Sequence, residues 1–262
     1  MNKILVFDIE TVPDIKGLRL IHRLPHTTQD EAVYQFALRV RREQGQSDFF
    51  PVHLQKVIAI SFLYRQKESD IHIGTIGHLG DDEPILLTKF FQKIDKYLPI
   101  LVSWNGNGFD LPVLQHRSLV HGISSFCYWN TEGEAKWQNY LNRYQFRHID
   151  LMDILSRYQL QSRASLSDMA RLCGFPGKLD MDGSDVWQVF QEGDLQKIRN
   201  YCEGDVVNTY LLFLRFQRLR GLLTQEYYED EIQLLQSWLK KQDSLYWQQF
   251  LEVWQPATVA IH

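Results

Sequence analysis

Asp8 and Glu10 stand two residues apart where the apolar run Ile4–Phe7 ends. A strand turns alternate residues to one face, so both carboxylates point the same way. Paired acids on one face repel each other. A divalent cation relieves that repulsion, and hard oxygen ligands suit Mg2+ or Mn2+. Asp110 follows a second apolar run and the turn-forming Asn105-Gly106-Asn107-Gly108. The carboxyl ends of strands in α/β sheets are where sites assemble. Tyr201 and Asp205 are four apart in a helical stretch and therefore share a helix face. Each group alone also fits a plainer role. The first pair fits a solvated loop edge, Asp110 an N-cap, and Tyr201 with Asp205 a surface pair or a core tyrosine.

Read together and in order, the three groups resemble one family. The strings are Phe7-Asp8-Ile9-Glu10-Thr11, then Trp104-Asn105-Gly106-Asn107-Gly108-Phe109-Asp110-Leu111-Pro112-Val113-Leu114, then Tyr201-Cys202-Glu203-Gly204-Asp205-Val206-Val207-Asn208-Thr209. They are similar to the tyrosine-bearing branch of the DEDD exonuclease superfamily (DEDDy). Within it they most resemble the predicted 3′→5′ exonucleases related to the proofreading domain of family B DNA polymerases. The resemblance spans about residues 3–220.

That resemblance implies an RNase H-like fold and two metal ions held by Asp8, Glu10, Asp110 and Asp205. Two metals about 4 Å apart activate the attacking water and stabilise the leaving 3′ oxygen. Tyr201 would hydrogen-bond the water or the scissile phosphate. Tyrosine, with an unperturbed pKa of about 10, is a poor base at neutral pH, so the metal must do most of the water activation. The 3′→5′ polarity comes from the resemblance. The resemblance also puts Thr11 and Val12 beside the 3′-terminal nucleotide, with strand-end packing as their other reading. Asn105 and Phe109 are candidates for contact with the strand or its terminal base, since aromatic stacking on bases is sequence-tolerant. They also fit a turn asparagine and a core phenylalanine. Lys178, in the loop 177–184, could reach a phosphate as a point charge or stay solvated. Asp150 is read as a cap or a supporting partner rather than a metal ligand. Trp238, Trp247, Phe250 and Trp254 are read as packing or an association surface.

The elements that must hold these residues follow from hydrophobic pattern. Residues 3–9 read as a buried strand, ended by Pro13. A helix is predicted over about 28–43, capped by Thr27, Thr28 or Asp30 and carrying Ala32, Val33, Phe36 and Val40 on one side. Strands are predicted at 57–64 and 71–76, joined by a hairpin link at 65–70. An amphipathic helix at 83–97 carries Ile85, Leu86, Phe90, Ile94 and Tyr97. A strand at 100–104 and a helix at 111–121 follow. A short strand at 148–151 then runs into a helix at 152–158. From 165 onward the pattern is helical, broken at 174–183, and residues 225–254 read as a last long helix. The order predicts an α/β fold: a mixed five-stranded sheet with helices on both faces, its first strand near the middle. Residues 1–220 form the RNase H-like domain with a helical insertion at about 14–50. Residues 221–262 form a helical extension packed on it.

Composition narrows the function classes. The 262 residues carry a formal charge of −4 and 44% apolar side chains. This is not a basic coat for nucleic acid, so a polyanion must be met at a local groove or through bound cations. Cys127, Cys173 and Cys202 show no metal-ligand or disulfide spacing. No segment reads as a signal peptide or membrane span, which predicts a cytoplasmic protein. The expected partner is single-stranded nucleic acid with a free 3′ end, DNA favoured over RNA. No polymerase region is recognisable, so a polymerase, repair or RNA-processing factor would be a separate chain. Two rivals remain. One is a haloacid-dehalogenase-type phosphatase, for which Asp8-x-Glu10-x-Val12 comes close but Tyr201 and Asp110 have no role. The other is a non-catalytic nucleic-acid-binding module on the same fold.

Overall fold

The apolar run that opens the chain becomes the central strand of a sheet. In a computed structural model, which describes residues 3–66, 71–142 and 145–254, five strands pair: β1 (Ile4–Pro13), β2 (Gln55–Arg65), β3 (His72–Thr75), β4 (Ile100–Ser103) and β5 (His148–Asp150). Their order is β3-β2-β1-β4-β5. β2 runs antiparallel to β1 and β3, while β4 and β5 run parallel to β1. This is the mixed five-stranded sheet expected from the sequence. Residues 67–70, in the predicted hairpin link, lie outside the described residues.

Two cores form because β1 is apolar on both faces. On one face Leu5, Phe7 and Ile9 pack with α3 (Glu83–Tyr97) and α4 (Asp110–His121). On the other, Ile4 and Val6 pack with the 25-residue α9 (Leu195–Leu219). The core of α9 also takes in α7 (Leu166–Leu172), α10 (Gln225–Lys240) and α11 (Leu245–Val253). The insertion contributes α1 (Ile15–Ile21) and α2 (Asp30–Glu43). They make a small core of Leu18, Val33, Ala37, Leu38 and Phe50. The remaining helices, α5 (Phe126–Trp129), α6 (Leu151–Leu155) and α8 (Val186–Gln191), are short.

Several local expectations are corrected. The sequence pattern does not announce α1, whose Leu18 rotates the buried face of α2 onto Val33, Ala37 and Leu38, leaving Ala32 exposed. Gln29, not Thr27, Thr28 or Asp30, precedes the first turn of α2, and it makes no side-chain cap. Ile85 of α3 is exposed, because the buried stripe runs through Leu86, Leu87, Phe90, Phe91 and Ile94, a step around the helix from it. α6 ends at Leu155 because Arg157 and Tyr158 adopt φ of 53° and 61°. The expected last helix is two, broken at residues 241–244, where Asp243 and Ser244 favour a turn. The break folds α11 back so that Trp247 and Phe250 are buried.

Two buried ionic clusters tie these parts together. Arg117 of α4 is bound by Glu83 at the start of α3 and by Asp14, the N-cap of α1. Arg65 of β2 makes a two-pronged bond to Glu231 of α10 at 2.9 and 2.7 Å, and the Tyr210 hydroxyl donates to the same carboxylate at 2.6 Å. No helix among the described residues is long and apolar enough to cross a membrane.

Candidate active site

The period of β1 decides where its acids go. Ile4 and Val6 face α9, so Asp8 and Glu10 continue that row beneath the same helix. Parallel pairing with β4 stops at Val6 opposite Val102, while antiparallel pairing with β2 continues to Pro13 opposite Gln55. The two acids are therefore inside β1, not at its end as the sequence suggests, but beyond the end of its parallel neighbour. At that vacated edge the Ile9 N–H donates to Asp110 Oδ1 at 3.1 Å, satisfying a buried backbone donor where β4 has stopped. A register shift between Glu10 and Thr11 follows. Bulges of this kind re-aim side chains beside functional sites.

Asp110 is the first residue of α4, and Phe109 occupies the N-cap position without a capping side chain. Asp110 is therefore not the N-cap of its plainer reading: its carboxylate accepts from its own backbone N–H at the start of α4 and also holds β1. The loop before it is shaped by Asp150. That side chain caps α6 and accepts from the backbone N–H of Asn105 at 3.0 Å and of Asn107 at 2.8 Å. Asn105 adopts φ of 66°. A Cβ at Gly108 would lie 2.4 Å from Asn105 Oδ1, so a larger residue there would displace the Asn105 side chain. Phe109 packs its ring against exposed Phe49 from the insertion, with centroids 5.6 Å apart.

α9 delivers the third pair. Tyr201 and Asp205 lie one turn apart and both are buried. The Tyr201 hydroxyl bonds Asp205 and accepts from the Lys178 ammonium. Lys178 Nζ is also 3.9 Å from Asp205 Oδ2. Thr11 donates from Oγ1 to Gln55 Oε1 at 3.0 Å. Val12 is buried with Ala59, Met181, Ile198 and Tyr201.

The electrostatics of this cluster are those of crowded, desolvated acids. Burial, then the charges of Asp110, Glu10 and Asp205, pushes Asp8 well above the usual carboxylate range. Burial, then Asp205, does the same to Glu10, against the pull of Lys178. Burial raises Asp110 to about 7 and Asp205 to about 6, the latter opposed by Lys178. Burial and then Asp205 push the Tyr201 phenol far up, so it stays protonated and acts as a donor. Four crowded carboxyls with one ammonium beside them hold their protons tightly unless a cation takes the protons' place, and a bound divalent cation is the ordinary compensation. The donor set is hard oxygen, which fits Mg2+ or Mn2+. Ligand atoms of Asp8, Glu10 and Cys202 all lie within 4.8 Å of one another. Burial, then Asp8 and Glu10, raises the Cys202 thiol, so it remains protonated, 3.4 Å from the Asp8 carbonyl oxygen.

Sequence reasoning missed Cys202, Phe49 and Tyr246 as neighbours of the site. One signal was present for the last. Gly204 is a glycine inside a long helix, which marks a close approach. A Cβ there would lie 1.9 Å from the Tyr246 hydroxyl of α11.

Comparison with known proteins bears on this arrangement. A family model described as a predicted 3′-5′ exonuclease related to the exonuclease domain of PolB matches residues 47–254. That span includes Asn105–Asp110 and Tyr201–Asp205, while Asp8 and Glu10 precede it. A DNA polymerase of Archaeoglobus fulgidus is 28% identical over 168 residues, covering 58% of this chain and 21% of the polymerase. The catalytic subunit of DNA polymerase epsilon from Dictyostelium discoideum is 30% identical over 141 residues, covering 52% of this chain and 6% of the relative. The chain thus spans about a fifth or less of the length of these curated relatives. The family B DNA polymerase of the hyperthermophilic archaeon Pyrobaculum calidifontis aligns with 80% of this chain and 24% of its own, at 17% identity and a TM-score of 0.48.

Proposed function

Since this chain belongs to the family of predicted 3′-5′ exonucleases related to the exonuclease domain of PolB, we propose that it removes nucleotides one at a time from the 3′ end of single-stranded nucleic acid, DNA in preference to RNA. The preference for DNA is supported by relatives named as DNA polymerases. The observation that carries the proposal is the convergence of Asp8, Glu10, Asp110 and Asp205 past the end of β4, beneath Tyr201. The phosphatase reading leaves Tyr201 and Asp110 idle, and it does not fit this family.

Asp8, Glu10, Asp110 and Asp205 would hold two divalent cations, Mg2+ or Mn2+. When bound, these supply water activation and charge stabilisation at the leaving oxygen. The chain's own residues do the rest. Asp110, fixed to the Ile9 N–H, sets the depth of β1 relative to α4. The Tyr201 hydroxyl donates its one proton to Asp205 and accepts from Lys178, so it is aimed by two partners; with Asp205 on a metal it would turn that proton to the water or the scissile phosphate. Lys178 places one positive charge beside the acids, where the scissile phosphate would enter. Phe109 and Phe49 offer an aromatic surface for a terminal base, with Asn105 and Thr11 lining the approach; Val12, expected beside the terminal nucleotide, is instead 1% exposed and serves as strand-end packing under Tyr201. We place the protein in the cytoplasm, working with a polymerase, repair or RNA-processing factor. Product analysis tests the reading: release of nucleoside 5′-monophosphates supports it, and internal fragments alone would replace it with an endonuclease.

A further inference from the structure

We infer that Asn208 is a positioning residue for Lys178, so that the lysine's place beside Tyr201 is set from α9, together with α7, and not by its own loop. The kinetic part of this inference rests on the nuclease reading above.

Gly177 and Lys178 lie in irregular chain between α7 and α8. Such a segment must find partners for its backbone polar groups outside any helix or sheet. Here side chains meet all four. The Gly177 N–H donates to Asn208 Oδ1 and the Gly177 carbonyl accepts from Asn208 Nδ2, each at 3.0 Å. The Lys178 N–H donates to Ser167 Oγ at 3.2 Å, and its carbonyl accepts from Arg171 at 2.9 Å. Asn208 alone grips both sides of one peptide residue. Its amide also donates to the Gly204 carbonyl at 3.0 Å, which fixes the plane of the side chain on its own helix.

Asparagine is disfavoured inside helices because its amide competes for backbone groups. Asn208 is 1% exposed, so its amide must be bonded to be tolerated there. Its position adds a ruler. Asn208 lies seven residues past Tyr201, two turns along the same face, or about 10 Å. The loop is anchored at the far end of that span, and the lysine side chain reaches back to the tyrosine hydroxyl. Gly177 has φ of +68°, and a Cβ there would lie 3.0 Å from Ser167 Oγ and 3.1 Å from Arg171 Cγ. The loop therefore has little room to settle elsewhere. Only a side-chain amide offers a donor and an acceptor in one plane at this reach. The change Asn208→Asp would keep the acceptor for the Gly177 N–H and lose both donated bonds.

The test combines two measurements on Asn208→Ala, Asn208→Asp, Lys178→Ala and the Asn208→Ala/Lys178→Ala double variant. One is kcat and KM on an end-labelled single strand. The other, on the wild type and the variants that keep Lys178, is the rate of Lys178 acylation in metal-free protein, read by mass spectrometry against Lys16 and Lys56. Asn208→Ala is expected to lower kcat by about 10-fold, within the range for a displaced catalytic group, with KM within about twofold. The double variant should be no slower than Lys178→Ala, since both changes act on one group. Lys178 acylation should rise severalfold with Lys16 and Lys56 unchanged, and Asn208→Asp should fall between. If Asn208→Ala does not fold, Asn208→Asp and Gly177→Ala, which strains the same loop, carry the comparison. Unchanged Lys178 reactivity in a folded variant, or losses that multiply in the double variant, would overturn the inference. Were the wild type inactive on every strand, the nuclease reading would fall, and the acylation measurement alone would decide.

Discussion

Asp110 and Ile9 are 101 positions apart in the chain, and one hydrogen bond joins them, from the Ile9 N–H to Asp110 Oδ1 at 3.1 Å. Ile9 lies between Asp8 and Glu10, so the bond fixes the two strand acids against the start of α4. It also separates two duties of one carboxylate. Asn at 110 keeps an oxygen for the Ile9 N–H and loses the charge; Ala loses both. Asp110→Asn should fold at least as well as the wild type and lose nearly all activity. Asp110→Ala should be less stable than Asp110→Asn by about 1–3 kcal/mol, the cost of a buried unsatisfied donor. Denaturant titration of the two variants side by side measures the difference. Equal stabilities would mean that the bond holds nothing.

The raised carboxyl groups give a signed dependence of stability on pH. Asp110 at about 7 and Asp205 at about 6 bind protons more tightly folded than unfolded, where a carboxyl sits near 3.8. Their stabilising contribution is full below the unfolded value and is lost as pH rises through 6 to 7. Metal-free protein should therefore melt lower at pH 8 than the Asp205→Asn variant does, by a few degrees, given about 2–4 °C per kcal/mol for a chain of this size. Mg2+ or Mn2+ should raise the wild-type melting temperature and leave the variant less changed. Calorimetry with and without EDTA reads both effects. At limiting Mg2+, activity should fall as pH drops through 7 towards 6, and more Mg2+ should move that limb to lower pH, because metal and protons compete for the same oxygens.

His148 works in the opposite direction. Burial lowers it to about 4, and its Nε2 lies 2.8 Å from Ser103 Oγ. The unfolded chain takes up a proton near 6.5 that the folded protein refuses until about 4. Stability from this group is present above 6.5 and lost as pH falls from there towards 4. Comparing wild type with His148→Gln by denaturant titration at pH 7.5 and 5 isolates the effect. The wild type should lose more stability across that interval than the variant does.

The Arg65–Glu231 pair is nearly buried, with the two side chains 8% and 3% exposed. Removing one partner of such a pair leaves an uncompensated charge and costs about 3–5 kcal/mol. Glu231→Ala should therefore lower the melting temperature by roughly 10 °C. A double change to Arg65→Met and Glu231→Leu should recover much of the loss. The extension would then be an integral part of the core, held to β2 and to Tyr210 of α9 through one carboxylate.

The site was legible in the sequence where its placement depended on local period. Asp8 and Glu10 share a face because strands alternate, and Tyr201 and Asp205 share one because helices repeat. The succession of strands along the chain, and the central place of the first, followed from apolar runs separated by turn residues. What stayed hidden depended on pairing between distant segments. That β1 continues past Glu10 is set by the length of β2, not by anything in β1. The second duty of Asp110 depends on the register that sets Val102 opposite Val6, so that β4 ends short of Ile9, and no pattern within either strand announces that register. Lys178 reads as a loop lysine until Asn208, thirty residues later, is seen to hold its neighbour. Gly204 and Asn208, a glycine and an asparagine inside a long helix, carried a signal that the motif reading passed over. Each marks a place where another segment comes close.

The central claim is tested most directly by incubating 5′-labelled single-stranded DNA and RNA with the protein in Mg2+, Mn2+ or EDTA, beside Asp205→Asn. A ladder shortening from the 3′ end, dependent on metal, stronger on DNA and absent with the variant, is the predicted result. Intact strands under every metal, or an unchanged ladder from Asp205→Asn, would contradict it.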